Sequence, residues 1–285
     1  MSIVMKGADV VTAMKEVLLR NVELLSQRNI SPQLAIVRVG ARPDDLAYER
    51  GAQKRMESVG VRCTVCELPE SIDQPAFERA FAAINDDPGI HGILLFRPLP
   101  KQLSEDPIRV MIDPGKDVDC MGPMNMAKLF AGDESGFAPC TPEAVMEVLA
   151  HYGIDLTGKR VTLVGRSMVV GKPLTMLLLR RHATVTICHT RTVDLAGTCR
   201  GAEILIAAAG KARMIGADCV ADGAVVVDVG INVDAEGRLC GDVDYDAVAP
   251  KASFITPVPG GIGTVTSSVL ARHVVRAAGM QGGIA

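Results

Sequence analysis

The chain has 285 residues, 48% of them hydrophobic, a length that accommodates one large domain or two medium ones. Its 30 basic and 33 acidic residues are interspersed and leave a net charge of −3, so no basic surface is expected for a nucleic acid. With no Trp, three Tyr and six Phe, the chain is also poor in rings that stack on bases. We therefore expect a protein with no nucleic-acid partner.

Neither the N-terminal segment nor any apolar run predicts export or a membrane partner. The first ten residues contain Lys6 and Asp9 and no long apolar stretch, which does not fit a secretory signal. No apolar run approaches the roughly 20 residues that a membrane span needs. The eight cysteines are scattered along the chain, which favours reduced thiols in a cytoplasmic protein.

Cys63 and Cys66 have the spacing of a redox or zinc pair. No second Cys pair or His pair completes a metal site. The residues from Val61 to Leu68 alternate in polarity as a strand does, so we predict a strand there and no metal.

In chain order, the first half alternates between apolar runs typical of buried strands and segments with helical periodicity. The predicted elements are a helix at 10–25, a strand at 34–39, a helix at 46–59, a strand at 61–68, a helix at 75–85 and a strand at 92–96. This β-α-β order predicts a parallel sheet covered by helices.

Pro, Gly and Asp interrupt the periodicity between residues 113 and 142, which indicates an interdomain region. The alternation then resumes with a helix at 142–152, a strand at 160–164, a helix at 173–181, and strands at 184–188, 204–208 and 224–229. A last helix at 267–278 is expected to fold back on the first domain. The prediction is an α/β protein with one domain of residues 1–140 plus 267–285 and a second of residues 141–266.

The most specific functional pattern is an apolar strand that runs into a glycine-bounded turn and then a helix. The segment is Val161-Thr-Leu-Val-Gly165-Arg-Ser-Met-Val-Val-Gly171-Lys-Pro173. Such a turn presents backbone N–H groups at a helix N-terminus, where the helix dipole favours a phosphate. Ser167 stands where the usual dinucleotide fingerprint has its second glycine. The pattern predicts a nucleotide site at Gly165, Arg166, Ser167 and Gly171, with a purely conformational role of the glycines as the alternative.

The next strand indicates which nucleotide binds. Dehydrogenases that prefer NAD usually carry an acidic residue near its end, whereas this strand ends in Cys188-His189-Thr190-Arg191. Arg166 and Arg191 together are suited to a 2′-phosphate, and Thr190 adds a hydroxyl, so NADP is the predicted cofactor. For either arginine alone, a solvated surface charge is the alternative. We expect His189 to line the turn.

Several segments together resemble one family, the bifunctional methylenetetrahydrofolate dehydrogenase/cyclohydrolases. They occur in the family's order and span residues 30–270. They are Val39-Gly40 with Tyr48 downstream, Pro98-Leu-Pro100, Lys116-Asp-Val-Asp119, Pro139-Cys-Thr-Pro142, Gly165-Arg-Ser167 through Gly171, Asp228-Val-Gly-Ile-Asn232, Gly241-Asp-Val243 and Thr256-Pro-Val-Pro-Gly-Gly-Ile-Gly263.

The resemblance implies an N-terminal folate-binding domain, a C-terminal Rossmann-type NADP domain, a cleft between them, and a homodimer. It also implies tetrahydrofolate one-carbon derivatives as substrates. By position in the motifs, Tyr48 would stack on the folate and Asp119 would hydrogen-bond the pterin ring as the two catalytic residues, with Pro98 and Leu99 also contacting the substrate.

The resemblance also assigns residues to the cofactor. Pro259-Gly260-Gly261 would form a backbone wall where substrate and nicotinamide meet. The cofactor contacts would be Gly165, Arg166, Ser167, Thr190 and Ile231. For these glycines the alternative is turn formation, for Tyr48 a half-buried helix position, and for Asp119 a helix cap.

Two positions depart from the family pattern. The family carries a lysine four residues after the tyrosine, one helical turn on, where this chain has Ala52. It carries a glutamine before Pro-Leu-Pro, where this chain has Phe96 followed by Arg97. Lys54 lies roughly 240° around the helix from Tyr48 and cannot replace the lysine.

The missing lysine affects the two family activities differently. Hydride removal from the one-carbon bridge is mainly a matter of orientation, so Ala52 does not prevent it. Hydrolysis of the methenyl group needs water activation and nitrogen protonation, for which a positioned amine is valuable. We expect a dehydrogenase with weak or absent cyclohydrolase activity. The alternatives are a bifunctional enzyme that uses Arg97, a folate- or nucleotide-binding module without turnover, and an unrelated Rossmann dehydrogenase.

Overall fold

The computed structural model describes residues 2–284, which form two compact units. The N-terminal unit comprises Ala13–Cys140 with residues 267–284, and the C-terminal unit comprises residues 2–12 with Thr141–Thr266. The sequence-based division differs at residues 2–12, which it grouped with the first domain. They belong to the C-terminal unit because Ile3 and Val4 pair in parallel with a strand of its sheet.

The strands are numbered in chain order. They are β1 (Ile3–Val4), β2 (Gln33–Val39), β3 (Arg62–Leu68), β4 (Gly92–Leu95), β5 (Arg160–Val164), β6 (Thr184–Cys188), β7 (Ile204–Ala207), β8 (Val225–Asp228), β9 (Asn232–Val233), β10 (Leu239–Cys240) and β11 (Phe254–Ile255).

The α-helices are numbered in the same way. They are α1 (Gly7–Ser26), α2 (Pro43–Glu57), α3 (Gln74–Asp86), α4 (Asp106–Met111), α5 (Pro123–Ala131), α6 (Cys140–His151), α7 (Gly171–Arg180), α8 (Leu195–Arg200), α9 (Tyr245–Val248) and α10 (Ile262–Gln281).

The N-terminal unit contains a parallel three-stranded sheet in the order β3-β2-β4. The middle strand β2 is buried from Leu34 to Val39, as expected for a parallel strand covered on both faces. One face packs against Phe77 and Phe81 of α3. Helix α3 begins where the Asp73 carboxylate accepts the N–H of Ala76 at 2.8 Å, a side-chain cap of its first turn.

The C-terminal unit contains a parallel six-stranded sheet in the order β1-β11-β8-β7-β5-β6. Strand β5 pairs with β6 on one side and with β7 on the other, so the order of the strands reverses at β5. In open α/β sheets, ligands bind beyond the carboxyl ends of the strands at such a reversal. A ligand is therefore expected at the edge of the sheet formed by the segments after β5, β6 and β7.

The predicted α/β class with parallel sheets is confirmed, and every predicted helix and strand is present with shifts of a few residues at its ends. The irregular stretch predicted at 113–142 is partly wrong, because α5 lies within it. That helix begins with Pro123 after Gly122 and stops at Gly132, which has a φ of 74°. The proline and glycine that suggested a loop are its start and stop residues.

Within residues 2–284, no helix combines the length and apolar character needed to cross a membrane. All eight cysteines are free thiols. Cys63 and Cys66 lie three residues apart on β3, so their side chains emerge on opposite faces of the strand. Burial, with the nearby Glu49 charge, raises the pKa of the Cys63 thiol to about 11. These features do not fit a redox pair.

Candidate active site

The turn after β5 requires its two glycines. Gly165 has a φ of 134°, a conformation that other residues rarely adopt. A Cβ on Gly165 would overlap the carbonyl oxygen of Ala208, and a Cβ on Gly171 would overlap the carbonyl oxygen of Gly165. The backbone is therefore packed tightly at the reversal of the strand order, and a phosphate can approach it without meeting side chains there.

Ser167 closes this turn onto α7. Its Oγ accepts the N–H of Val170 at 3.1 Å and that of Gly171 at 3.5 Å, and its carbonyl accepts the N–H of Lys172 at 3.0 Å. The hydroxyl thus holds the turn against the first residue of α7. The cofactor contact that the resemblance assigns to Ser167 stays a prediction.

Arg166 and Arg191 lie on exposed backbone at the carboxyl ends of two paired strands. In the register of β5 with β6, Val164 is opposite Cys188, so the segments that carry the arginines leave the sheet side by side. Both side chains are exposed, as is Thr190, and neither guanidinium makes an ion pair with any residue from 2 to 284. Two unpaired cations at this edge match the charge of a 2′-phosphate.

His189 closes the turn after β6, as the sequence predicts. Its N–H donates to Thr192 Oγ1 at 2.8 Å, and its ring Nδ1 accepts the N–H of Arg191 at 3.0 Å. These bonds fix the backbone that carries Thr190 and Arg191.

The Pro-Gly-Gly segment lines a cleft of about 180 Å³ at the same edge of the sheet. Gly260 has a φ of 102°, and a Cβ on Gly261 would overlap the carbonyl oxygen of Pro257. Ile231, which follows β8, lines this cleft and is 64% exposed. Pro259 and Ile231 are both exposed and line the same cleft, as their predicted ligand contacts require.

In the N-terminal unit, Tyr48 of α2 contacts the ring of Phe96, with 5.5 Å between the ring centroids and 55° between the planes. Ala52 follows one helical turn later and is 1% exposed. Lys54 is exposed to solvent. A buried methyl group thus stands where the resemblance predicts a lysine, and a ring that packs on Tyr48 stands where it predicts a glutamine.

Asp119 lies close to Tyr48. Its Oδ1 accepts the N–H of Cys140, the first residue of α6, at 2.9 Å. Desolvation raises the pKa of the Tyr48 hydroxyl, and the nearby charges of Cys140 and Asp119 raise it further. Asp119 therefore does cap a helix, the alternative stated above. Within the described part of the chain the Cys140 N–H is its one hydrogen-bond donor, which leaves Oδ2 available to a ligand.

The other charged residues of the Lys116-Asp-Val-Asp motif maintain the fold. The Lys116 ammonium donates to the carbonyls of Asn85 at 2.6 Å and Asp87 at 2.8 Å, at the end of α3. The buried Asp117 carboxylate accepts the N–H of Met121 at 2.8 Å and that of Gly122 at 3.0 Å, before α5. These two residues hold the segment from which Asp119 projects.

Arg97 already has an ionic partner, because its Nη1 lies 3.4 Å from Glu105 Oε2 and both side chains are half-buried. The adjacent Pro98 is exposed and follows a cis peptide bond. Leu99 is partly buried against the core that contains Phe77. For Leu99, packing in the core accounts for its position, and its predicted substrate contact stays a prediction.

Sequence inspection missed Arg38, a buried cation beneath α2. Arg38 is 6% exposed, and its guanidinium donates to Glu49 at 2.7 Å, to Glu67 at 2.8 Å and to the Gly40 carbonyl. Glu49 follows Tyr48, so this network anchors the helix turn that carries Tyr48. A charged residue within the apolar run of β2 was the available indication, since a buried arginine needs acceptors.

No group of three or more His, Cys, Asp or Glu residues suited to a metal ion occurs between residues 2 and 284.

Two domains of one protein family together match most of the chain. Residues 5–119 match the catalytic domain, and residues 139–282 the NAD(P)-binding domain, of the tetrahydrofolate dehydrogenase/cyclohydrolases.

Individual relatives match along their full length. The bifunctional protein FolD of Clostridioides difficile (strain 630) is 56% identical over 278 residues, which cover 98% of this chain and 97% of that protein. The crystal structure of FolD from Campylobacter jejuni is 39% identical, with a TM-score of 0.95 over 98% of this chain and 99% of its own.

A third relative, FolD from Trypanosoma brucei, was solved with NADP and an inhibitor. It is 34% identical, with a TM-score of 0.92 over 98% of each chain. The sequence motifs, the two parallel sheets and these matches agree. The chain belongs to the tetrahydrofolate dehydrogenase/cyclohydrolase family.

Proposed function

We propose that the protein oxidises 5,10-methylenetetrahydrofolate to 5,10-methenyltetrahydrofolate with NADP, and that it hydrolyses the methenyl product weakly or not at all. The observation that carries this proposal is the buried methyl of Ala52, one turn beyond Tyr48, in the position of the family lysine. The family includes both activities, so the proposal separates them in this chain.

The C-terminal unit fits NADP. The tight backbone at Gly165 can receive a pyrophosphate, and the unpaired Arg166 and Arg191 supply charge for a 2′-phosphate. The relative from Trypanosoma brucei binds NADP, which supports the same assignment here. When bound, NADP supplies the hydride acceptor.

The residues of the N-terminal unit suit a hydride donor that must be oriented. In the proposal, the exposed face of Tyr48 stacks on the folate, and Asp119 Oδ2 accepts a hydrogen bond from the pterin ring. The reaction leaves a cation shared over an N–C–N unit, and no proton leaves a carbon or an oxygen. Orientation at reacting distance and exclusion of water are then the main requirements, and an amine is not among them.

Hydrolysis of the methenyl cation has other requirements. Water must be activated and a ring nitrogen protonated as the C–N bond opens. The raised pKa of Tyr48 keeps its hydroxyl protonated and unsuited to act as a base. Arg97 pairs with Glu105, and a guanidinium does not readily release its proton. Loss of the lysine is expected to cost about 10² to 10⁴ in hydrolysis rate.

The proposal is tested with the purified full-length protein. Reduced cofactor should appear with methylenetetrahydrofolate and NADP, while the methenyl absorbance should decay no faster than in buffer. Enzyme-dependent decay at a rate comparable to the oxidation would contradict the proposal.

Two alternatives are distinguished by these assays together with one variant and a binding measurement. If the bifunctional alternative with Arg97 is correct, Arg97→Ala should abolish an enzyme-dependent methenyl decay that the unaltered protein shows. If the chain is a binding module, calorimetry should detect both ligands while no reduced cofactor forms.

We also infer a homodimer, in line with the family resemblance. The antiparallel pair β9 and β10 exposes Val233 at 64% and Leu239 at 51%, and exposed apolar side chains on a short ribbon suit contact with a second copy. Light scattering should give twice the chain mass, and Val233→Ser with Leu239→Ser should shift it toward the single chain.

A further inference from the structure

The C-terminal unit contains an anion-binding loop that is already filled by one of its own carboxylates. Asp242 is 0% exposed. Its Oδ2 accepts the N–H of Ala209 at 2.6 Å and that of Gly210 at 2.9 Å, and its Oδ1 accepts the N–H of Lys211 at 2.8 Å. Three successive backbone N–H groups that converge on one anion form a nest, an arrangement that proteins often use for phosphates. These amides are therefore unavailable to a phosphate of the cofactor.

The nest lies beside the nucleotide turn. It follows β7 at the edge where the strand order reverses. The residue before it, Ala208, has its carbonyl oxygen so close to Gly165 that a Cβ on that glycine would overlap it. A displacement of the segment from Ala208 to Lys211 would therefore open or distort the turn at Gly165.

The same carboxylate also reaches the segment after β8. Asp242 Oδ1 accepts Asn232 Nδ2 at 2.9 Å, and Asn232 follows the exposed Ile231. A Cβ on Gly230 would overlap the Asp242 carboxylate, so the chain on the other side of Ile231 also passes against it. Asp242 thus contacts both neighbours of Ile231, the backbone of Gly230 and the side chain of Asn232.

A second buried carboxylate holds Asp242 in place. Asp228 is 3% exposed, its Oδ1 accepts the N–H of Asp242 at 3.0 Å, and its Oδ2 accepts the N–H of Val243 at 2.9 Å. A Cβ on Gly241 would overlap the Asp228 carboxylate, so only glycine fits between the two acids. Two charges buried side by side are costly, and each is offset here by several N–H donors.

We propose that Asp242 is a positioning residue for NADP binding. Its carboxylate acts as an internal anion that fixes the loop after β7 (Ala208 to Lys211), and with it the Gly165 turn, against the segment that carries Ile231. The proposal rests on the proposed NADP-dependent function. This role does not require Asp242 to touch the cofactor, because the four groups that donate hydrogen bonds to its carboxylate all belong to the protein.

The test compares the affinity for NADP of the full-length protein and three variants by calorimetry, with KM and kcat for each substrate. Asn232→Ala keeps the nest and removes one bond to the Ile231 segment. We expect a Kd for NADP about 3- to 10-fold higher, from the loss of one charge-assisted hydrogen bond. Asp242→Asn replaces one carboxylate oxygen by an amide NH2 group, which cannot accept hydrogen bonds from the N–H donors that surround it. This variant should raise the Kd by more than tenfold. In both variants, KM for methylenetetrahydrofolate should change less than twofold.

Asp244→Asn is the matched control, because Asp244 lies two residues on and caps the short helix α9 instead. It should leave the Kd for NADP unchanged. If Asp242→Asn does not fold, as judged by circular dichroism, Asn232→Ala decides the question. Unaltered NADP affinity in folded Asn232→Ala, or an equal rise in both KM values, would overturn the positioning role alone. Failure of the unaltered protein to bind NADP would overturn the proposed function and this role with it.

Discussion

The cofactor edge of the C-terminal unit and the Tyr48 region of the N-terminal unit differ in what determines their shape. At the cofactor edge, glycines without room for a Cβ and buried carboxylates that bind N–H groups fix the backbone. In the Tyr48 region, the Arg38–Glu49 ion pair anchors α2, while Lys116 and Asp117 hold the segment of Asp119. There the resemblance predicts departures from the family at the side chains of positions 52 and 96.

This difference corresponds to two kinds of chemistry. Hydride transfer depends on position, and the features that determine position are present in both units. Hydrolysis depends on a side chain that exchanges protons, and under the proposed function Ala52 stands in the place of the lysine that would do so. Under the proposed function, this chain keeps the family's fold and one of its reactions and loses the second reaction through two side chains.

The largest effect is expected at the nucleotide turn. Gly165→Ala would force a methyl against the Ala208 carbonyl in a conformation with a φ of 134°. We expect KM for NADP to rise at least about 100-fold, equivalent to about 2.7 kcal/mol. Steady-state kinetics would measure it, with folding checked by circular dichroism. Gly201→Ala is the control, since its Cβ would come no closer than 3.4 Å to another atom. An NADP affinity equal in both variants would refute the argument from close packing.

The next largest effect is expected when the two family side chains are introduced into the Tyr48 region. Ala52→Lys combined with Phe96→Gln restores both family side chains, and we expect methenyl hydrolysis to rise about 100-fold, the lower range of acid–base catalysis. Ala52→Gln with Phe96→Gln is the control without an amine. Because Ala52 is buried, the lysine variant should also unfold at a lower temperature. Equal hydrolysis by both variants would show that the amine is not the missing component.

A smaller effect is expected for the two unpaired cations. Arg166→Ala and Arg191→Ala should each raise KM for NADP about tenfold, through loss of a charge-assisted hydrogen bond of about 1.5 kcal/mol. KM for NAD should not change, because NAD lacks the 2′-phosphate. Arg160→Ala is the control at the opposite end of β5. A parallel rise with NAD would mean that the arginines act on the turn and not on that phosphate.

The last prediction concerns the reactivity of the Cys63 thiol and not catalysis. With its pKa near 11, Cys63 should react with an alkylating reagent at pH 7 roughly 100-fold more slowly than free cysteine. Because the pKa is raised, the rate should increase about tenfold per pH unit as the thiolate forms. Peptide mapping would follow the reaction. Rapid loss of Cys63 and Cys66 together under mild oxidation would restore the redox interpretation of this pair.

The fold was largely predictable because its long elements are strongly periodic. The run at β2 and the glycine-bounded end of β5 both indicate buried parallel strands, and both are found. Two-residue strands such as β1 escape this reasoning, since period and burial cannot be read from Ile3 and Val4 alone. Their pairing with β11 depends on residues some 250 positions away.

The motifs specify both residue type and position for Gly165, Tyr48 and Asp119, and the ligand contacts of these residues stay predictions. The site was not predictable where a side chain serves another element. Ser167 holds the turn before α7, Leu99 packs against the core, and Arg38 pairs with Glu49, none of which a motif specifies. These contacts depend on the backbone path of the folded chain, so the sequence alone does not identify them.

The most direct test of the account measures both reactions on one preparation of the unaltered protein, as the ratio of methenyl hydrolysis to methylene oxidation at saturating NADP. We predict rapid oxidation and a hydrolysis rate indistinguishable from that in buffer. Hydrolysis that keeps pace with oxidation would contradict the claim that the loss of the lysine at position 52 separates the two activities.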